Sequence, residues 1–132
     1  MPYKSPFLLV DGVIYLKKHI FIKSFKKIKK NDFFLRRHFI NNYAYPGVLM
    51  LEIFHQTSLI LLYESKKFNY KNKMFYLAKI NFAKFFFPVS YKDCIICNVT
   101  MFRKVLNSYI FHGKIIVNKK VACLSSFICI LK

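Results

Sequence analysis

The run from Pro46 to Tyr63 limits what this chain can fold into more than any other feature. Proline suits the first helical position, because its missing N–H would lack a partner there anyway. Val48 to Tyr63 follows without a Gly or Pro. Apolar residues fall almost all round the resulting helix: Val48, Leu49, Met50, Leu51, Ile53, Phe54, Leu59, Ile60, Leu61 and Leu62. A helix with no polar side must be buried on most sides. The run is interrupted by Glu52, His55 and Gln56 and falls short of the roughly 20 apolar residues that a membrane span needs. The spacing therefore predicts a central helix inside a globular protein, fraying near residues 65–67.

Extended segments flank it. Phe7 to Leu16 reads as a strand, with Asp11-Gly12 as an interruption, and His19 to Lys29 as a second. In that second strand Ile20, Ile22 and Ser24 share one face, while Phe21, Lys23 and Phe25 share the other. The Lys-rich end from Lys26 to Lys30 reads as a solvated rim. Asn31 to Tyr45 has no clean period and holds turn formers, so it reads as loop. After a polar stretch, four more strands are expected over Phe75–Phe86, Cys94–Arg103, Ser108–Val117 and Lys120–Leu131. Pro88–Asp93 is a turn region, and Asn118-Lys119 is a two-residue hairpin turn. The order is two strands, one helix, four strands. A lone apolar helix needs a sheet to cover it, which predicts an α+β fold with a curved antiparallel sheet around a central helix. No repeat or composition break divides the chain, and 132 residues fit one domain.

Hydrophobic residues make up 55% of the chain, so disorder is excluded. Lys plus Arg number 23 against 5 acidic residues, a net charge of +18. The excess is almost all lysine. Only Arg36, Arg37 and Arg103 are arginine, the residue suited to bidentate reading of phosphates and bases. Alongside abundant Ile, Asn, Phe and Tyr, the lysines look partly like a bias toward AT-rich codons. They still predict a salt-sensitive attraction to an acidic partner. A basic nucleic-acid-binding module is the alternative this charge raises, but no aromatic RNA-binding motif or zinc-finger spacing accompanies it. No secretory signal is visible at the start, which predicts a soluble, cytoplasmic protein.

Cys94 and Cys97 form a C-x-x-C, but in a strand that spacing points them to opposite faces. Cys123 and Cys129 supply no second pair, so a zinc site lacks its usual spacing and four reduced thiols are expected.

The helix carries one chemical anomaly. Glu52, His55 and Gln56 stand three and four positions apart, on one face. Either that turn touches solvent, or the carboxyl is kept for chemistry despite the cost of desolvating it. A di-iron ligand pair also uses Glu-x-x-His, but it needs a second copy that this chain lacks.

The segment before the helix reads His38-Phe39-Ile40-Asn41-Asn42-Tyr43-Ala44-Tyr45-Pro46-Gly47-Val48-Leu49-Met50-Leu51-Glu52, with Gln56 one turn on. Gly47 lies 9 positions and Glu52 14 positions after His38. This resembles the active-site segment of the 3-hydroxyacyl-[acyl-carrier-protein] dehydratases of type II fatty acid synthesis, a hotdog-fold family. Ser5 to Asp11, Asn31-Asp32-Phe33-Phe34, Phe75 to Ala78, Ala83 to Phe85, Phe111 to Lys114 and Asn118 to Ala122 extend the likeness along most of the chain. Arg37 stands where the family has Gly, Ile40-Asn41 where it has Pro-Gly, and Tyr43 where it has another Pro.

The resemblance implies removal of water from a (3R)-hydroxyacyl group on acyl carrier protein. His38 would be the base, since an unperturbed imidazole accepts a proton near neutral pH. Glu52 would be the acid, which requires its pKa to rise well above about 4.3. The thioester oxygen would meet the N–H groups of Gly47 and Val48 at the positive end of the helix. Gln56 would orient the carboxyl, and His55 is a packing or rim residue. Arg36 and Arg37 would dock the acidic carrier. The resemblance further implies a homodimer with shared active sites that can assemble further into a hexamer, and no cofactor beyond the carrier's phosphopantetheine arm. An acyl thioesterase, or a dehydratase that also isomerises the double bond, is the nearest alternative; the latter pairs its His with Asp.

Overall fold

The computed structural model describes residues 8–29, 45–65, 74–90 and 92–132. Six strands and one helix follow one another as β1 (Gly12–Lys17), β2 (Phe21–Lys27), α1 (Gly47–Ser65), β3 (Phe75–Phe85), β4 (Cys94–Val105), β5 (Ser108–Val117) and β6 (Lys120–Leu131). The strands form one sheet in the order β1-β2-β4-β5-β6-β3, with all neighbouring strands antiparallel. The helix packs on one face of that sheet, against β2, β3, β4 and β5. The expected α+β arrangement is the one observed.

Alternation decides which face is covered. Ile22 and Ser24 of β2, Ile95, Cys97 and Val99 of β4, and Phe111 and Ile115 of β5 are all buried under the helix. Phe54 of α1 is buried, with its ring against Phe127 of β6 at 6.1 Å. It also rests on Gly113 of β5, where a Cβ would lie only 2.4 Å from Phe54 Cδ1. Glycine is needed there because the ring occupies the side chain's place. The polar groups of this layer are paired: Ser24 Oγ and Thr57 Oγ1 lie 2.8 Å apart, and Ser58 Oγ donates to the His55 carbonyl at 2.7 Å.

Three sequence expectations are corrected. The first strand starts at Gly12, not Phe7. Among residues 8–11 the Leu9 N–H turns to a helix side chain instead of a neighbouring strand, while the Asp11 N–H donates to the Phe25 carbonyl at 2.9 Å. Lys26 is buried rather than rimmed by solvent. Period two sends it to the covered face, where its Nζ sits 3.7 Å from Asp11 Oδ1. Pro46 caps the helix instead of occupying its first turn, its carbonyl accepting from the N–H groups of Leu49 and Met50.

The Asn118-Lys119 turn is present, with φ of 52° and 66°. Both residues lie in the left-handed region that a type I′ turn requires and that lysine adopts reluctantly. Lys119→Gly is therefore expected to raise stability by about 0.5–1 kcal/mol, read as a higher urea midpoint with an unchanged slope.

Candidate active site

The start of the helix is fixed from two sides. The Tyr45 N–H donates to the Val89 carbonyl, and Pro46 caps the first turn. The N–H groups of Gly47 and Val48 precede the first hydrogen-bonded turn, so the helix offers them no acceptor of its own. They lie at its positive end. An open depression of about 440 Å³ lies here, lined by Tyr45, Gly47, Met50, Phe85, Phe86, Phe87 and Pro88. A Cβ on Gly47 would come within 3.0 Å of the Phe85 ring, so glycine keeps the backbone close to this apolar wall. The Val48 side chain points into solvent.

Glu52 is half-buried, one and a half turns further on. Gln56 is fully buried, and its Nε2 donates to Glu52 Oε1 at 3.1 Å. The Oε1 of the same amide accepts the backbone N–H of Leu9 at 2.8 Å. The structure thus brings Glu52 and Gln56 together and adds Leu9. No sequence signal pointed to Leu9, because a main-chain N–H carries none. His38, Arg36 and Arg37 lie outside the described residues, as do Ile40, Asn41 and Tyr43.

His55 packs inward, its Nδ1 3.7 Å from Cys129 Sγ. Burial lowers its pKa below the usual 6.5, an effect that Glu52, when ionised, offsets only in part. A lowered folded-state pKa means that the unfolded chain binds the proton more readily. Its contribution to stability is therefore present above about pH 6.5 and is lost as pH falls below that value. Unfolding curves should show this acid-side loss, and His55→Leu should reduce it.

The four thiols are free. Cys94 is half-buried, and Cys97, Cys123 and Cys129 are buried. Burial pushes Cys97 up to about 12 and Cys123 and Cys129 to about 11. Among the described residues no group of three His, Cys, Asp or Glu side chains could hold a metal ion. Among the same residues no helix is long and apolar enough to cross a membrane.

An unpaired helix start beside an apolar depression, with a carboxyl held on the same helix, is a chemistry-bearing arrangement on a sheet-and-helix scaffold. A family model described as a FabA-like domain matches residues 1–125. The chain belongs to the FabA-like family. The 3-hydroxyacyl-[acyl-carrier-protein] dehydratase FabZ of Blochmanniella floridana is 34% identical over 129 residues, covering 98% of this chain and 85% of that protein. Among solved structures, the dehydratase heterocomplex ApeI:P of Xenorhabdus doucetiae superposes with a TM-score of 0.78 at 13% identity, over 100% of this chain and 88% of that one. A hot-dog-like protein of Thermanaerovibrio acidaminovorans gives 0.72 at 13% identity, over 89% and 84%. At such identities the structural likeness speaks for the fold alone, which is the hotdog fold. The FabA-like scaffold accounts for the central buried helix and the sheet that covers it.

Proposed function

We propose that the chain, as one domain over residues 1–132, converts (3R)-hydroxyacyl-[acyl-carrier-protein] to the trans-2-enoyl form in fatty acid synthesis in the cytoplasm. The observation that carries this reading is the family match over residues 1–125, together with the likeness to 3-hydroxyacyl-[acyl-carrier-protein] dehydratases, in a chain that keeps His38 and Glu52. His38 takes the proton from the carbon next to the thioester. The electron pair forms the new double bond as the hydroxyl leaves the next carbon, and Glu52 gives that hydroxyl its proton, so water departs. The N–H groups of Gly47 and Val48 hold the thioester oxygen while negative charge builds on it. Gln56 holds the Glu52 carboxyl in place. Elimination of water by proton transfer asks for no metal or organic cofactor beyond the carrier's phosphopantetheine arm. Arg36 and Arg37, with nearby lysines, dock the acidic carrier, so added salt raises KM.

Two features support a dimer with shared sites. Five residues along an α-helix turn through about 140° net, so Gly47 and Glu52 of one chain face different directions and suit different sites. Strand β3 lies at the sheet edge, is 11 residues long, and exposes Tyr76, Leu77, Ile80, Phe82 and Phe85. A long apolar edge of this kind invites pairing with another strand, and a second copy of β3 fits it. Further association into a hexamer is compatible with this.

The test is turnover of a 3-hydroxybutyryl carrier substrate by the purified chain, followed by enoyl absorbance. Formation of the trans-2-enoyl product is expected. Hydrolysis of plain acyl thioesters instead would make the chain a thioesterase, and a shifted double bond would make it a dehydratase-isomerase. RNA or DNA binding that survives about 200 mM salt would favour the nucleic-acid module.

A further inference from the structure

Gln56 is fully buried and bonds to groups of opposite kind at the two ends of its amide. On one side the Leu9 backbone N–H reaches its Oε1 at 2.8 Å, and on the other its Nε2 reaches Glu52 Oε1 at 3.1 Å. A backbone N–H can only donate, so the group facing it has to be the amide oxygen. The amide is planar, and its NH₂ is therefore turned toward Glu52. The reverse orientation would set two donors face to face in a site closed to water.

An NH₂ group can only donate as well. The Glu52 oxygen beside it must accept, and an oxygen that carries the proton of a neutral carboxyl is the poorer acceptor. We infer that the Leu9 backbone N–H, acting through Gln56, decides which oxygen of Glu52 carries the acid proton: it is Oε2, the oxygen that Gln56 does not hold. This inference rests on the reading of Glu52 as the proton donor. It makes Gln56 a positioning residue of known polarity and brings the segment before β1 into the site.

That segment is itself fastened. Leu9 and Val10 are buried. Asp11, two residues on, accepts from the Lys27 N–H through Oδ2 at 2.7 Å, and its own N–H donates to the Phe25 carbonyl at 2.9 Å. The Leu9 N–H that faces the Gln56 amide is thus held to strand β2 through the Asp11 main chain and carboxylate.

The test compares the full chain with Gln56→Leu and Gln56→Glu, measuring kcat and KM from about pH 5 to about pH 9. Leucine removes the donor. It should lower kcat about 10- to 100-fold with KM changed less than about twofold, because the interaction acts on proton delivery and not on substrate binding. A glutamic acid at 56 can still accept from Leu9 with one oxygen and, only while protonated, donate to Glu52 with the other. Its kcat relative to wild type should therefore be highest at the acidic end and fall with one added ionisation as pH rises. Matching pH profiles for the two variants, or a leucine variant with wild-type kcat, would overturn the inference. Should Gln56→Leu fail to fold, the pH profile of Gln56→Glu decides alone. A wild-type chain that forms no enoyl product is a different outcome: it removes the dehydratase reading itself.

Discussion

Mixing His38→Ala chains with Glu52→Gln chains should restore dehydration to about a quarter of the wild-type rate, although each variant alone should be nearly inactive. Removing either of the groups proposed as base and acid should lower kcat by about 10²–10⁴-fold, the usual contribution of positioned proton transfer. If each site takes its imidazole from one subunit and its carboxyl from the other, a mixed dimer holds one complete site and one empty of both groups. Random pairing makes about half of the dimers mixed, hence the quarter. The measurement is steady-state turnover after unfolding and refolding the two variants together. Absence of any recovery, with mixed dimers demonstrated by mass, would place both groups of a site on one chain. Unchanged turnover in either single variant would withdraw its assigned role.

The second large effect concerns stability. Phe54→Ala should destabilise the fold by about 3–5 kcal/mol, the cost of deleting a buried ring. Phe54 is buried on the underside of the helix, packed against Phe127 and filling the place a side chain at Gly113 would take. The converse change, Gly113→Ala, should cost about 1–3 kcal/mol through crowding against that ring. The two are one contact seen from opposite sides, so the double variant should lose less than the separate losses combined. Urea unfolding of the four proteins measures this, and strict additivity would mean the ring and the glycine are independent.

Much of the fold is legible in the sequence. The helix from residue 47 and the strands β4 to β6 follow alternation and turn residues, and β5 ends and β6 begins where the Asn118-Lys119 turn requires. The misread parts share a cause. The apolar stretch Phe7 to Val10 has strand composition, yet the Leu9 N–H bonds to a side chain 47 residues away, and composition carries no record of that partner. Lys26 stands in a lysine-rich segment that reads as solvated, while its position in the alternation sends it inward to Asp11. For the candidate site, the Glu52-to-Gln56 spacing was readable because one helical turn brings the two together. The inward packing of His55 against Cys129 was not, because it depends on which strand lies beneath the helix. His38, Arg36 and Arg37 rest on the family likeness, since they fall outside the described residues.

The buried thiols also make the chain its own clock. Alkylation requires thiolate and access together, and Cys97, Cys123 and Cys129 lack both while the sheet and helix are closed. Iodoacetamide added at neutral pH would tag Cys94 first, and each further adduct would count an opening of the hydrophobic interior. Intact-mass spectra taken over time would then report how often that interior opens, with no added dye and no change to the sequence.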